Sequence, residues 1–159
     1  MKAVVQRVRN ASVEVGGRVS GSIGWGLLVY LGVARDDSAE DAGWMAGKVS
    51  NLRIFDDCDG KMNLSLLDIL AQGQSKQEPK LRSIGVLAIS QFTLLADARK
   101  GRRPFYGEAA EPELANKLYE HFMAEIRGLG LVCEAGVFQT HMNVSYTNDG
   151  PVTIILESS

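Results

Sequence analysis

The stretch Gly26-Leu27-Leu28-Val29-Tyr30-Leu31-Gly32-Val33 decides the fold. It is continuously apolar, far below the roughly 18 residues that a membrane span requires, and β-branched enough to be a strand at the centre of a sheet. On its N-terminal side, Ala3, Val5 and Arg7 alternate with Val4, Gln6 and Val8, which makes a strand with at least one apolar face. Val13 and Val15 run into Gly16-Gly17, a hairpin signal, with Arg18-Val19-Ser20 as the return strand.

On the C-terminal side, Ser38 with Asp41 three residues later makes a capping box. Ala42, Met45, Val49 and Leu52 then recur at helical spacing, predicting a helix over about 38–51. Residues 56–61 read as a turn, Leu64 to Leu70 as a short apolar segment, and 71–83 as a polar surface loop. Ile84 to Ile89 is a buried strand that ends on Ser90-Gln91-Phe92-Thr93. Pro112 suits the first turn of a second helix, whose buried stripe is Ala115, Leu118, Phe122 and Ile126 and whose end is marked by Gly128 and Gly130. Leu131 to Glu134 and Val144 to Tyr146 are strand-like, Asn148-Asp149-Gly150-Pro151 is a turn signal, and Val152 to Leu156 is a last strand. The expectation is an α+β single domain over residues 1–159, a mainly antiparallel sheet or partial β-barrel with two packed helices.

Composition narrows the function. The 159 residues carry 17 Lys and Arg against 19 Asp and Glu, a net charge of −2. That argues against a protein wrapped around duplex DNA, which needs many cations on phosphates, but leaves room for a partner held by one small basic patch. The 17 glycines are scattered and suggest tight turns and close backbone approaches. Two cysteines, an exposed Cys58 and a buried Cys133, fit a reduced cytoplasmic protein rather than a disulfide scaffold. The opening residues lack the apolar core of a signal peptide, and no apolar run suits a membrane.

Most familiar chemistries find no foothold. There is no Cys-x-x-Cys or His-x-x-x-His pair to hold a metal, no glycine-rich nucleotide loop and no Gly-x-Ser-x-Gly elbow. Asp56, Asp57 and Asp59 resemble the start of a calcium loop, but its twelfth position would be Leu67 instead of Glu. Neither a metal nor a cofactor is therefore expected. Two segments remain. Ser90-Gln91-Phe92-Thr93 is either an ordinary strand end or a polar site, and Asn148-Asp149-Gly150-Pro151-Val152 is either a hairpin turn or something more specific. Arg99, Lys100, Arg102 and Arg103 form the densest basic cluster, either a solvated loop or a phosphate contact.

At these segments the chain closely resembles the D-aminoacyl-tRNA deacylases, and the resemblance runs nearly end to end. It includes Met1 to Val8 with Ala11-Ser12-Val13, Gly24 to Gly32, Arg53-Ile54-Phe55, and Gly60-Lys61-Met62-Asn63-Leu64. It also includes Ser90-Gln91-Phe92-Thr93-Leu94, Arg103-Pro104, Ala109 to Pro112, and Asn148-Asp149-Gly150-Pro151-Val152-Thr153. The resemblance implies a cofactor-free homodimer that hydrolyses the ester between a D-amino acid and the terminal adenosine of tRNA, and that also removes glycine from mischarged tRNA-Ala. It implies a cis bond at Gly150-Pro151, a motif that reaches into the partner's pocket and turns L-amino acids away. Catalytic roles then fall on Gln91, Phe92 and Thr93, and substrate binding on Ser90, Asn148, Gly150, Pro151, Phe138 and Met142. Arg99, Lys100, Arg102 and Arg103 become candidates for tRNA phosphates. Backbone N–H groups near Phe92 and Thr93 would polarise the ester carbonyl, with assistance from the tRNA 2′-OH. No histidine or lysine near Thr93 in sequence would activate its hydroxyl as a nucleophile.

The chain departs from the family pattern at Gly136-Val137-Phe138-Gln139-Thr140-His141-Met142, where Gln139 and Thr140 are bulkier than usual. His141 is either exposed decoration or a contact for the acceptor end. The rival reading is a non-catalytic module that binds a tRNA acceptor end or a nucleotide on the same scaffold.

Overall fold

The computed structural model describes residues 1–76 and 84–158. The apolar stretch at 26–33 does become the central strand: β3 (Gly26–Gly32) lies between β1 (Lys2–Val15), antiparallel to it, and β6 (Gly85–Ser90), parallel to it. The hairpin also forms, with Gly16 and Gly17 at φ 57° and 78° turning β1 into β2 (Arg18–Ile23). The sheet runs β2-β1-β3-β6-β7, with β7 at Val132–Ala135, and β8 (Asn143–Glu157) pairs with the other side of β1. It curls until β2 and β7 nearly meet, Gly21 sitting against the backbone of Ala135. The result is a mixed α+β sheet almost closed into a barrel, and β4 (Phe55–Asp56) and β5 (Met62–Leu64) form a separate small ribbon.

Among the described residues three helices cover one face, one more than the two expected. α1 (Ala39–Asn51) starts on the capping box predicted at Ser38 and Asp41, and α3 (Pro112–Gly128) starts on its proline. The additional helix α2 (Leu66–Lys76) takes up the apolar segment and the first part of the polar stretch expected to be a loop. Its own capping box explains it: Ser65 Oγ accepts from Asp68 N at 3.2 Å while Asp68 Oδ2 accepts from Ser65 N at 2.9 Å. The rest of the expected loop, residues 77–83, lies outside the described residues. No described helix is long and apolar enough to cross a membrane.

Strand alternation sorts the core into two layers. Ala3, Val5, Leu27, Val29, Leu31, Val86 and Ala88 face the helices, meeting Met45 and Val49 of α1, Ile69 of α2, and Phe122 and Ile126 of α3. A buried group so packed is worth several kcal/mol; Phe122→Ala would cost about 3–5 kcal/mol. Tyr119 is buried as well, and its hydroxyl donates to the Ala88 carbonyl at 2.8 Å, tying α3 to β6. The opposite layer, built from Val8, Val13, Leu28, Leu87 and Ile89, fills the barrel side and supports the pocket described next.

The one expected reversal that the chain does not make is at Asn148–Pro151. β8 continues through it as a single strand along β1, so this segment is not a hairpin turn. The register passes from Gln6↔Thr153 to Val8↔Asn148, five residues of β8 against two of β1, and residues 149–152 loop out of the ladder.

Candidate active site

The pocket begins where β6 runs out. Its pairing with β3 ends at Leu31↔Ser90, Gln91 N donates to Leu31 O at 2.8 Å, and Phe92–Leu95 then wind into one 3-10 turn. Gly32 permits this fit: a Cβ there would lie 2.4 Å from Leu95 Cδ2 and 3.0 Å from Gln91 O. The first two N–H groups of such a turn, those of Phe92 and Thr93, have no partner within it. Beside them, Gln91 Nε2 donates to Thr93 Oγ1 at 2.5 Å. The Thr93 hydroxyl oxygen therefore accepts from an amide, and among the described residues no carboxylate, histidine or lysine is bonded to it to take its proton.

The segment after β7 supplies the facing wall. Phe138 and Met142 line a cavity of about 760 Å³ together with Ser90, Gln91 and Phe92. Phe138 rests on Tyr119, ring centroids 6.3 Å apart, and Met142 Sδ lies where a Cβ on Gly136 would clash at 2.4 Å. Gln139 takes a left-handed φ of 57°, and Thr140 Oγ1 donates to Val137 O at 2.8 Å. The remaining lining is mostly apolar, and His141, exposed on this wall, is its only ionisable side chain among the described residues. Five expected site residues are thus brought together here, with Thr93 bonded to one of them.

Asn148, Gly150 and Pro151 do not line this pocket. They belong to the loop that bulges from β8, where the Gly150-Pro151 peptide is cis and both residues are exposed. Gly150 has φ 131°, and a Cβ on it would sit 2.7 Å from Val152 Cγ2. Asn148 serves the loop itself: its Oδ1 accepts from Val152 N at 3.1 Å and its Nδ2 donates to Thr153 Oγ1 at 3.3 Å. The residue that sequence reading missed is Arg7. Its Nε donates to Asp149 O at 3.1 Å, and its Nη1 donates to Ile54 O at 2.6 Å and lies 3.3 Å from Asp56 Oδ1. Arg9 adds a second contact, Nε to Asp149 Oδ1 at 3.0 Å. The signal was available: Arg7 shares the strand face of Ala3 and Val5, and a cation on a buried face needs partners.

The basic cluster is exposed on the loop after the 3-10 turn. Asp97 grips Arg99 with both carboxylate oxygens, at 2.9 and 2.7 Å, and the guanidinium holds the Asp97 carboxyl down to about 2. Lys100, Arg102 and Arg103 make no ion pair among the described residues.

The chain as a whole has close parallels among known proteins. A family model described as D-Tyr-tRNA(Tyr) deacylase matches residues 4–157. A D-aminoacyl-tRNA deacylase of Thermosipho africanus is 52% identical over 158 residues, covering 99% of this chain and 97% of that one. One of Koribacter versatilis is also 52% identical, with the same coverage. Among solved structures, a c-Myc DNA unwinding element binding protein superposes with a TM-score of 0.83 at 39% identity, over 100% of this chain and 99% of its own. A probable eukaryotic D-amino acid tRNA deacylase shares the fold at 15% identity with a TM-score of 0.77, over 98% of this chain and 97% of its own. With nearly its whole length matched, the chain belongs to the D-Tyr-tRNA(Tyr) deacylase family.

Proposed function

We propose that this chain is a D-aminoacyl-tRNA deacylase that works as a cytoplasmic homodimer, clearing D-amino acids from tRNA and glycine from mischarged tRNA-Ala. The observation that carries the reading is the separation of pocket from projection. The Gly150-Pro151 loop is exposed and clamped by Arg7, yet it does not line the pocket of its own chain. In a two-fold dimer such a loop enters the neighbour's pocket, and the neighbour's enters this one.

The chemistry follows from what the pocket offers. Water adds to the ester carbonyl carbon, the bond to the ribose oxygen breaks, and free amino acid leaves with the tRNA hydroxyl restored. The N–H groups of Phe92 and Thr93 stabilise the oxyanion, a contribution of about 3 kcal/mol for one well-placed donor. Gln91 positions Thr93, and Ser90, Phe138 and Met142 complete the wall. The 2′-OH of the terminal ribose assists proton movement, consistent with a Thr93 hydroxyl that no base among the described residues contacts. The Gly150 and Pro151 carbonyls of the neighbour hold the α-amino group and leave no space for an L side chain, whereas a D side chain points outward. Glycine has no side chain to reject and passes the same filter. Lys100, Arg102 and Arg103 meet the phosphates of the acceptor end.

The test is release of amino acid from matched D- and L-tyrosyl-tRNA. Hydrolysis of the D ester with almost none of the L ester is expected. Equal rates would refute the filter, and binding without turnover of either ester would establish the non-catalytic module instead.

A further inference from the structure

Aromatic rings continue from the pocket onto the basic loop. Phe92, 57% exposed, lines the pocket and meets Tyr106 edge-on, with centroids 5.0 Å apart and planes at 62°. Tyr106 is 37% exposed and its neighbour Phe105 66%. The Phe105 ring lies over Gly107, where a Cβ would meet it at 2.2 Å. Large apolar side chains gathered at a surface mark an interaction site.

The loop that carries them is held in shape. Asp97 and Phe105 exchange backbone hydrogen bonds of 2.7 and 2.9 Å, which tie residues 98–104 at their base. Within it Arg99 is already neutralised by Asp97, whereas Lys100, Arg102 and Arg103 are exposed and unpaired among the described residues. Three free cations beside exposed aromatic faces match single-stranded nucleic acid, whose phosphates take the charge and whose bases stack. A net charge of −2 argues against the many surplus cations that duplex binding uses.

We infer that the 97–106 loop is the docking track for the single-stranded 3′ segment of an RNA, one nucleotide upstream of the residue held in the pocket. A base stacks on Tyr106, and Lys100, Arg102 and Arg103 follow the backbone. The direction of the track rests on the proposed reading of the pocket as the seat of the 3′-terminal adenosine, but its existence is read without any hydrolysis.

The experiment titrates the full-length protein by fluorescence anisotropy with an unacylated RNA hairpin ending in single-stranded ACCA, and with the same hairpin trimmed to a blunt end. Tyr106→Ala is expected to weaken binding of the overhang hairpin about tenfold, the scale of one lost base stack, and to leave the blunt hairpin unaffected. Tyr106→Phe binds as the unmodified protein does. Tyr106→Leu, which keeps apolar bulk against Phe92 but has no π face, shows the same loss as Tyr106→Ala and separates stacking from folding. Replacing Lys100, Arg102 and Arg103 together by alanine lowers the slope of log affinity against log salt by about 2. Equal loss for both hairpins, no loss for either, or an unchanged salt slope overturns the track. If the track behaves as expected while the D ester is not hydrolysed, only the catalytic reading falls.

Discussion

Arg7 Nε donates to the carbonyl oxygen of Asp149 at 3.1 Å, joining the first strand to the residue before the Gly150-Pro151 loop. The same guanidinium reaches Ile54 O at 2.6 Å, and Arg7 is only 7% exposed. A planar fork meets these two acceptors from two separate nitrogens held in a fixed plane, whereas an ammonium offers its donors from one compact centre. Arg7→Ala leaves buried carbonyls without donors and is expected to cost roughly 2–5 kcal/mol in urea unfolding. Arg7→Lys should fold, yet lose at least tenfold in hydrolysis of a D ester because the loop is no longer held. Full activity in Arg7→Lys would show that the loop holds itself.

Gly150 gives a sharper test of the loop. Its φ of 131° lies in a region that side chains rarely adopt, and a Cβ would stand 2.7 Å from Val152 Cγ2. Gly150→Ala is expected to cost about 1–3 kcal/mol of local strain. Because the residue is exposed, the barrel can remain folded while the carbonyls are displaced. The expected result is a normal circular dichroism spectrum with activity on D-tyrosyl-tRNA reduced by more than tenfold. Unchanged activity would remove the loop from the filter.

The parts of this structure legible in sequence were those set by local pattern. The alternation at Ala3 to Val8, the apolar run at Gly26 to Val33 and the capping box at Ser38 each fixed an element, because burial and capping act within a few residues. Two local signals were read in the wrong context. Asn148-Asp149-Gly150-Pro151 has the residues of a turn, but β1 pairs on both sides of it, so they make an outward loop and not a reversal. The Ser65 and Asp68 box was hidden by the polar residues that follow it, although Leu66, Ile69 and Leu70 already had helical spacing. Gathering Phe138 and Met142 opposite Ser90 depends on β7 lying parallel to β6, a long-range pairing that periodicity alone does not reveal.

Thr93 is the obvious side chain to suspect of attacking the ester, and its surroundings argue otherwise. Its hydroxyl oxygen accepts from Gln91 Nε2 at 2.5 Å, and an amide N–H withdraws electron density where a general base would supply it. Thr93→Ala is expected to retain hydrolysis of D-tyrosyl-tRNA within about tenfold, well short of the loss when a nucleophile is removed. Complete loss with folding and RNA binding intact would make Thr93 a chemical participant.

Two capping boxes set part of the acid limit of stability. Asp41 accepts from the Ser38 backbone N–H and then its hydroxyl, and Asp68 from the same groups of Ser65, and both carboxyls are held below their usual value. A lowered folded value means that these groups stabilise the fold above the unfolded carboxyl pKa of about 3.9, and stop doing so as pH falls through the folded value. Asp41→Asn combined with Asp68→Asn should therefore lower the melting temperature at pH 7, and the difference should shrink below about pH 3. A difference that is constant with pH would assign the effect to helix propensity.

A homodimer with crossed loops makes a prediction that no single-subunit site can satisfy. One variant, Gly150→Ala, damages the loop a subunit gives away, while Gln91→Trp fills the pocket it keeps. Each alone should be nearly inactive, since in either homodimer every site contains one damaged half. Unfolded, mixed in equal amounts and refolded, half of the dimers are hybrid, and each hybrid holds one site with neither defect. About a quarter of the unmodified activity should therefore return. Because hybrids arise only by exchange, mixing without refolding should restore less, or restore it slowly. If the loop instead served its own pocket, every hybrid site would carry one defect or the other, and refolded mixtures would be no more active than their parents.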